Sequence, residues 1–287
     1  MGTRTCKIIG VLFLIFSGSC LAQPPTQTTD RNKVTTNTPQ KAGITDITQI
    51  DGKSVNEVSQ TVQYLDDLGR PTQTINTMAS PGHNDVIIRR AYDLYGREVR
   101  KFLPFTESGT PGEYKPQEAL YSWSTQYLFY QNTDKVAHDK VPYSDAVFEN
   151  SPLGRVLKQG APGALFNASP VGTDDHSVEY AYLTNGYQAV LRLDYSASTN
   201  SLIFSGPSYY DAQQLIVKKI TDEHGFETIE YTDKKQGHIV CRKVEYGKDD
   251  SSNRLYAETY YIYDDLGNLM IVLPPEATVE LRSMLSN

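Results

Sequence analysis

The chain has 287 residues and a formal net charge of −7, and it is rich in Tyr, with 20 copies against 9 Phe and 1 Trp. The acidic balance excludes nucleic acid as a partner, because phosphate binding needs a basic surface. Abundant Tyr and Thr favour a mainly β fold, since both suit the half-buried surface of a pleated sheet.

Residues 1–22 are typical of a cleaved signal peptide. Arg4 and Lys7 precede an apolar run over residues 8–16, and small residues follow. The run is too short to span a membrane stably. We therefore expect the chain to be exported to the periplasm, the cell surface or the medium, without a membrane-spanning segment. A lipid anchor on Cys20 is an alternative. Three residues earlier the chain has Ser17 instead of the Leu usual in lipoprotein signals, which argues against this alternative.

Residues 23–43 are predicted to be a disordered spacer. They are rich in Thr, Gln, Pro and Asn, and Val34 is their one large aliphatic residue. Such a segment buries too little apolar area to offset the loss of chain entropy on folding. We expect one β domain over residues 44–287.

Within this domain, short runs with strand character alternate with turn signals, which predicts consecutive antiparallel β-hairpins. The runs are SVNEVSQTVQYL (54–65), PTQTINTMA (71–79), DVIIRRAY (85–92), REVRKFLPF (97–105), VFENSPLGRVLKQGAPG (147–163), HSVEYAYLT (176–184), a three-strand stretch over 213–246, and LYAETYYIYDDLGNLMIVLPPE (255–276).

One inserted amphipathic helix is predicted over residues 117–130. Leu120, Trp123, Tyr127 and Tyr130 recur at helical spacing, and a Pro precedes the segment. The aromatic stripe is expected to face the core. The last residues, PEATVELRSMLSN, have weak helical character.

Asp and Gly recur three positions apart in the predicted turns. In such a turn we expect the Asp carboxylate to accept backbone N–H groups two and three residues on, and the Gly to adopt a left-handed conformation. The aromatic residue before Asp and the Arg after Gly are expected to stack across their own hairpin. The turn positions are Asp66 and Gly69, Asp93 and Gly96, Asp222 and Gly225, Asp264 and Gly267, with Gly154 closing a Ser151-Pro152 turn.

These segments resemble the YD-repeat, or Rhs-repeat, family. The signature Y-D-x-x-G-R is complete over residues 92–97, and residues 263–268 carry Asn in place of Arg. The order of the segments over about 58–277 is similar to an uncharacterised N-terminal domain of large secreted Rhs-repeat proteins of Gram-negative bacteria. The resemblance implies a hollow β-shell that encloses cargo. Because the repeats stop shortly before residue 287, we expect a short or truncated member, or one part of a split system.

Candidate chemistry is sparse. Asp66-Asp67 and Asp264-Asp265 lie in turns, where neighbouring carboxylates point apart, which is unsuitable for a glycosidase pair. A metal site at Asp174-Asp175-His176 lacks a complementary ligand motif. Cys241 is interpreted as a core residue. We therefore expect neither an enzyme nor a cofactor.

The sequence favours an exported structural or interaction module with a protein partner or the remainder of a shell. The alternative is a cell-surface carbohydrate-binding module, in which one Tyr of each pair Tyr209-Tyr210 and Tyr260-Tyr261 would face outward. A hydrolase is a third hypothesis. An unpaired edge strand near residues 268–273 would favour assembly with another chain.

Overall fold

The computed structural model describes residues 31–116, 124–168, 176–204 and 208–285. The chain divides into two compact units, Met1–Asp145 with Ala161–Asn167, and Ala146–Gly160 with Ala168–Asn287. The predicted signal peptide lies outside the described residues. The prediction of a mainly β fold built from consecutive antiparallel hairpins is confirmed.

The first unit is an antiparallel sheet whose strand order follows the chain, β1-β2-β3-β4-β5-β7, with β6 paired to β4 beside β5. Burial alternates along β4, where Asp85, Ile87 and Arg89 lie on the core face and the residues between them do not. The strands are β1 (Lys33–Pro39), β2 (Val58–Leu65), β3 (Pro71–Asn76), β4 (Asp85–Tyr92), β5 (Glu98–Phe102), β6 (Phe105–Glu107) and β7 (Tyr143–Phe148), whose first half belongs to this unit.

The disordered spacer predicted over residues 23–43 is wrong for Lys33–Pro39, which form strand β1. Every residue of β1 pairs with β2, from Lys33 opposite Tyr64 to Pro39 opposite Val58. The pairing uses backbone groups, so the strand needs few apolar side chains. The β domain therefore begins before residue 44.

The core of the first unit contains Val62, Tyr64, Ile75, Ile87 and Phe105 on the sheet, together with Tyr130 of helix α1. Residues 108–116, which we call the strap, also lie against this face of the sheet. Hydrogen bonds from Tyr64, Gln73 and Arg89 to the strap hold it there.

Helix α1 spans Thr125–Asn132, so the helix predicted over 117–130 ends two residues later than expected, and residues 117–123 of that prediction lie outside the described residues. Ser124 has an extended backbone and caps the helix by accepting the Tyr127 N–H, which stops the helix from continuing towards the N-terminus. Leu120 and Trp123 of the predicted stripe lie outside the described residues. Tyr130 packs in the core as expected, and Tyr127 is half-buried.

The second unit is also an antiparallel sheet in chain order, β7-β8-β9-β12-β13-β14-β15-β16, and β10 and β11 form a separate hairpin. The strands are the second half of β7, then β8 (Val156–Gln159), β9 (Val178–Thr184), β10 (Asp194–Ser196), β11 (Ser201–Ile203), β12 (Leu215–Thr221), β13 (Glu227–Asp233), β14 (Ile239–Lys248), β15 (Arg254–Tyr263) and β16 (Leu269–Leu273).

One face of this second sheet is covered by the excursion between β9 and β12, residues 185–214, and by a second helix, α2 (Pro275–Leu285). The excursion contributes Val190, Leu191 and Leu193 to the core, and α2 contributes Leu281. The weak helical character of the last residues thus corresponds to a real helix. Neither α1 nor α2 has the length and apolar character that a membrane-crossing helix requires.

Candidate functional site

The turn between β2 and β3 is organised by the side chain of Asp66. Its Oδ1 atom accepts hydrogen bonds from the backbone N–H groups of Leu68 and Arg70, both at 2.9 Å. Its Oδ2 atom accepts from Nε and Nη2 of Arg70, both at 2.8 Å. Gly69 has φ +79° and donates its N–H to the Asp66 carbonyl oxygen. Both carboxylate oxygens are therefore engaged within the turn.

The turn between β4 and β5 has the same geometry. Asp93 Oδ1 accepts the N–H groups of Tyr95 and Arg97 at 2.9 Å, and Oδ2 accepts from the Arg97 guanidinium at 2.7 Å. Gly96 has φ +80°. Two adjacent hairpins are thus closed by one repeated set of contacts.

Two turns of the second unit follow the pattern without Arg. Asp222 and Asp264 each accept the N–H groups two and four residues on, at 2.8–3.0 Å. Gly225 and Gly267 have φ +81° and +84°. At the Arg position of the second turn, the Asn268 side chain donates to Asp264 at 2.9 Å.

The Gly154 turn has the same Gly contact but binds its Arg through a different carboxylate. Gly154 has φ +58° and donates its N–H to the Ser151 carbonyl oxygen. Glu149 replaces the repeat Asp, and its carboxylate holds the Arg155 guanidinium at 2.8–3.0 Å. These hydrogen bonds from Arg155 are the main reason that the pKa of Glu149 is lowered to about 2.

A further turn of the same type was missed from the sequence. Asp249 accepts the N–H groups of Ser251 and Asn253, and Asn253 also donates its side-chain amide at 3.0 Å. The left-handed position is occupied by Ser252, with φ +66°. Because Ser stands in place of Gly, the Asp–Gly spacing gave no signal.

The structure corrects two details of the expected turn. The second N–H bound by the carboxylate comes from the residue four positions on, since the Gly N–H three positions on is taken by the Asp carbonyl. Arg70 stacks on the next hairpin rather than on its own, whereas the Arg97 guanidinium lies 5.0 Å from the ring centroid of Tyr95 in its own turn. The Arg70 guanidinium lies 4.5 Å from the ring centroid of Tyr92, while the buried Tyr64 ring packs against Tyr114.

Adjacent turns contact each other through this Arg and the Gly of the following turn. A Cβ atom added to Gly96 would lie 2.7 Å from Nη1 of Arg70. Tyr92 in turn donates its hydroxyl to the Pro71 carbonyl oxygen at 2.9 Å. The Tyr and Gly of one hairpin therefore form a seat for a planar side chain of the preceding hairpin.

The second unit has a similar seat, filled by histidine. The His238 ring lies 4.4 Å from the Tyr263 ring, edge to face. A Cβ atom added to Gly267 would lie 3.1 Å from Cε1 of His238. Tyr263 donates its hydroxyl to the Ile239 carbonyl oxygen. The same contact between hairpins is therefore made by two different planar side chains, an Arg in the first unit and a His in the second.

The turn hydrogen bonds keep these carboxyl groups acidic. The pKa of Asp66 is lowered, chiefly by the Arg70 N–H, and that of Asp264 chiefly by the Asn268 side chain. For Asp93, desolvation raises the pKa but the hydrogen bonds from Arg97 outweigh it, so the pKa is lowered. A carboxyl group with a lowered pKa is a poor proton donor at neutral pH, which argues against a general acid here.

Strand β16 is a sheet edge that no described strand pairs on its outer side. Its inner side pairs with β15. Leu269, Met270 and Val272 are exposed, and the strand carries neither a charge nor a Pro. An edge of this kind offers unpaired backbone groups and apolar side chains to another strand.

The remaining candidates do not assemble into a site. Asp67 and Asp265 are exposed in their turns. Asp174 and Asp175 lie outside the described residues, and Nδ1 of His176 is 3.0 Å from the Glu223 carbonyl oxygen. Over residues 31–116, 124–168, 176–204 and 208–285, no three His, Cys, Asp or Glu residues are grouped as metal ligands would be.

Cys241 and three of the four paired Tyr residues belong to the core of the second unit. Burial raises the pKa of the Cys241 thiol to about 12, which disfavours the nucleophilic thiolate. Tyr209 and Tyr210 both pack against the core cluster, and Tyr260 is buried within it. Tyr261 is half-buried outside this cluster.

Comparisons with known proteins give one family match. The family model described as "Domain of unknown function (DUF6443)" matches residues 35–184, somewhat more than half of the chain, from within β1 to the last residue of β9. No curated protein matches the chain. A crystal structure of TcdB2-TccC3-TEV is similar, with 13% identity and a TM-score of 0.49. The similarity covers 96% of this chain and 11% of that one, so the chain spans about a ninth of its length.

Proposed function

The chain belongs to the DUF6443 family of domains of unknown function, and we propose that it is a non-enzymatic, exported structural module of the YD-repeat (Rhs) type. In this role it forms part of a β-shell that encloses or presents cargo, together with a protein partner or the remainder of the shell.

The observation that carries the proposal is the seat between successive hairpins. The Arg70 guanidinium lies on the ring of Tyr92 and against Gly96, and His238 lies in the same way on Tyr263 and Gly267. This gives the Y-D-x-x-G-R signature a physical reason. Tyr and Gly contact a planar side chain of the preceding hairpin, and Asp closes the turn. The Arg of the first of these turns, Arg70, reaches the seat of the next one. A module of this kind can be extended by adding hairpins.

The turn carboxylates support a structural role over a catalytic one. Both carboxylate oxygens of Asp66, and both of Asp93, accept hydrogen bonds within their own turn. A general base or a metal ligand needs a lone pair directed at the reacting group. Export follows from the signal-like residues 1–22 and is part of the proposal.

The free edge at β16 is where a partner strand would join. A photo-cross-linking amino acid at Val272, introduced in cells that produce the protein, tests this directly. We expect Val272 to cross-link to another polypeptide, or to a second copy of this chain. The matched control is Val244, which is also exposed but lies on β14, a strand paired on both sides. Equal cross-linking from both positions, or none from Val272, would contradict the proposal.

A further inference from the structure

The hairpins that carry an Arg after the turn Gly share one pairing register on their outer side. In each of them the second strand begins its ladder with the following strand three positions past that Arg. The inward pairing shifts by one residue just before this point, and β16 has the same shift. The first outward pairs are Gln73 with Arg89, Arg100 with Asp145, and Lys158 with Glu179.

This register defines which residues of β16 are available to another strand. Asn268 occupies the Arg position, so an outward ladder begins three positions later, at Ile271. The ladder ends at Leu273, because β16 ends there and the following Pro274 has no N–H group to donate. The free edge therefore offers three residues for pairing, Ile271, Val272 and Leu273.

The chemistry of this edge differs from that of the occupied edges. There the first outward pair consists of two polar side chains, as in Lys158 and Glu179, whose charged atoms are 2.7 Å apart. On β16 the first residue is Ile271, and both Ile271 and Leu273 pack against the core cluster of the second unit. A polar side chain opposite either of them would lose water without gaining a partner, which costs free energy. The joining strand must therefore be apolar at these two positions.

Strand β1 of another copy does not meet this requirement. In the part of the chain that the structure describes, β1 pairs only with β2, so its other side is also a sheet edge. Its sequence is KVTTNTP, in which Val34 is the one aliphatic residue. Every antiparallel register with β16 places a Lys, Thr or Asn opposite Ile271 or Leu273. A head-to-tail contact between β16 and β1 is therefore disfavoured.

The three available residues of β16 are complementary to themselves. In antiparallel pairing centred on Val272, Ile271 of one copy is opposite Leu273 of the other, and Val272 is opposite its symmetry mate. The two copies are then related by a two-fold axis, and the same surface is used by both. All three pairs are apolar. Because Ile271 and Leu273 lie at the border of the core cluster, this pairing joins the two clusters across the axis.

We propose that the strand that occupies the free edge of β16 is β16 of a second copy, paired antiparallel about Val272. The inference rests on the proposed function in one respect, that β16 is where another strand joins, and it names that strand. A ladder of three pairs buries less surface than the roughly 1,200 Å² at which stable interfaces begin. The dimer is therefore weak, and its test traps it covalently.

A cysteine on the two-fold axis forms the trap. In the dimer, the side chains of two Val272→Cys copies face each other at a cross-strand Cβ separation of about 5 Å, close to what a disulfide spans. The variant is made in the full chain with Cys6→Ser and Cys20→Ser, and the remaining Cys241 is buried. After incubation in a glutathione redox buffer, non-reducing electrophoresis measures the fraction of disulfide-linked dimer.

The matched control is Met270→Cys in the same background. Met270 and Val272 are similarly exposed, at 42% and 49%, and lie on the same strand. In the proposed register Met270 is opposite Pro274, so two Met270→Cys thiols are roughly 13 Å apart along the strands. We expect at least about tenfold more linked dimer from Val272→Cys than from Met270→Cys. Thermal melting establishes that both variants are folded.

Equal yields of linked dimer from the two variants would indicate random collision and overturn the inference. A folded Val272→Cys chain that stays monomeric after oxidation would also overturn it. If that chain stays monomeric while the photo-cross-linker at Val272 captures a different polypeptide, the inference fails and the proposed function stands. If neither experiment traps a partner, both fail.

Sedimentation equilibrium of the chain without substitutions provides a second measurement. The data should fit monomer and dimer alone, because a two-fold pairing uses the edge of β16 in both copies. Species that grow beyond the dimer with concentration would contradict the inference, since they require a head-to-tail contact.

Discussion

At the scale of single residues, the glycines of the repeat turns differ in how closely another side chain approaches them. Gly69 and Gly96 both have φ near +80°, a conformation that costs any other residue strain. Around Gly69 no atom lies within 4 Å of an added Cβ, whereas at Gly96 the Arg70 guanidinium lies 2.7 Å away. That guanidinium is fixed by Asp66 and by the Tyr92 ring, so it cannot move freely aside.

Gly96→Ala should therefore destabilise the protein more than Gly69→Ala. We expect about 1 kcal/mol for Gly69→Ala from backbone strain, and roughly 1 kcal/mol more for Gly96→Ala from displacement of Arg70. Urea unfolding measures both. In an Arg70→Ala background the difference between the two should disappear. If the difference between Gly96→Ala and Gly69→Ala persists in the Arg70→Ala background, displacement of Arg70 is not its cause.

The turn carboxyls also predict a dependence of stability on pH. The pKa of Asp66 in the folded chain is lowered, chiefly by the Arg70 N–H. A lowered pKa stabilises the fold above the unfolded value of about 3.9, and this stabilisation is lost as pH falls through the folded value. The free energy of unfolding should accordingly decrease below about pH 4.

Asp66→Asn tests the origin of that decrease. The variant should be less stable than wild type at pH 7, and the gap should narrow as pH falls below about 4, since wild-type Asp66 is then losing its charge. Asp67→Asn, in the same turn but exposed, is the control and should follow wild type at every pH. A gap for Asp66→Asn that stays constant with pH would assign its effect to something other than the charge.

At the scale of elements, helix α2 is tied to β15 by one carboxylate. Glu258 binds Lys243 at 2.9 Å and Arg282 of α2 at 2.7 Å. The side chains of Lys243 and Glu258 are 13% and 17% exposed. Removing the charge of Glu258 leaves two cations facing each other in a poorly solvated place.

We expect Glu258→Gln to lower the free energy of unfolding by about 2 kcal/mol. The control is Glu230→Gln, because Glu230 lies 3.9 Å from Arg242, whose side chain is 48% exposed, on the other face of the sheet. An exposed pair of that kind contributes at most about 1 kcal/mol. If urea unfolding gives the same loss of unfolding free energy for both variants, the contact of Glu258 with α2 stabilises the fold no more than an exposed ion pair does.

Which elements could be predicted from the sequence depends on how local their cause is. The predicted strand DVIIRRAY coincides with β4, because its β-branched residues and the turn that follows it are adjacent in the sequence. Strand β1 was missed because its apolar content is low and β2, some 20 residues later, supplies the pairing. The N-terminal boundary of α1 is set by the cap at Ser124, which apolar spacing does not reveal.

The candidate site also has some features that local sequence predicts and others that depend on distant residues. The Asp and Gly positions of four turns follow from spacing alone, whereas the seat joins Arg70 to Gly96 in the next hairpin. The hydrogen bonds between Gln73 and the Lys115 backbone were also beyond prediction, since the two residues are 42 positions apart and neither belongs to a motif. Contacts between elements depend on which strands become neighbours, and single-residue patterns do not carry that information.

At the scale of the whole molecule, the exposed edge of β16 predicts self-association. Leu269, Met270 and Val272 are exposed on a strand without the Lys or Pro that commonly protect sheet edges. Light scattering of the purified chain should increase with concentration. The Met270→Lys/Val272→Lys variant should scatter less at the same concentration, with unchanged thermal melting. Val244→Lys should behave as wild type, and equal suppression by that control would indicate a general effect of charge.

The agreement between strand order and chain order has a consequence for how the protein folds. In both units most strands pair with the strand just before them, so most loops to be closed are short and the contact order is low. A chain that leaves an export channel N-terminus first could therefore fold hairpin by hairpin as it emerges. Two pairings are exceptions, because 40 residues separate β5 from β7 in the first unit and 30 residues separate β9 from β12 in the second. The second unit has the β9–β12 loop. Closing that loop costs roughly 1.5 kcal/mol more than closing a five-residue turn, which makes it the expected slow step of the second unit.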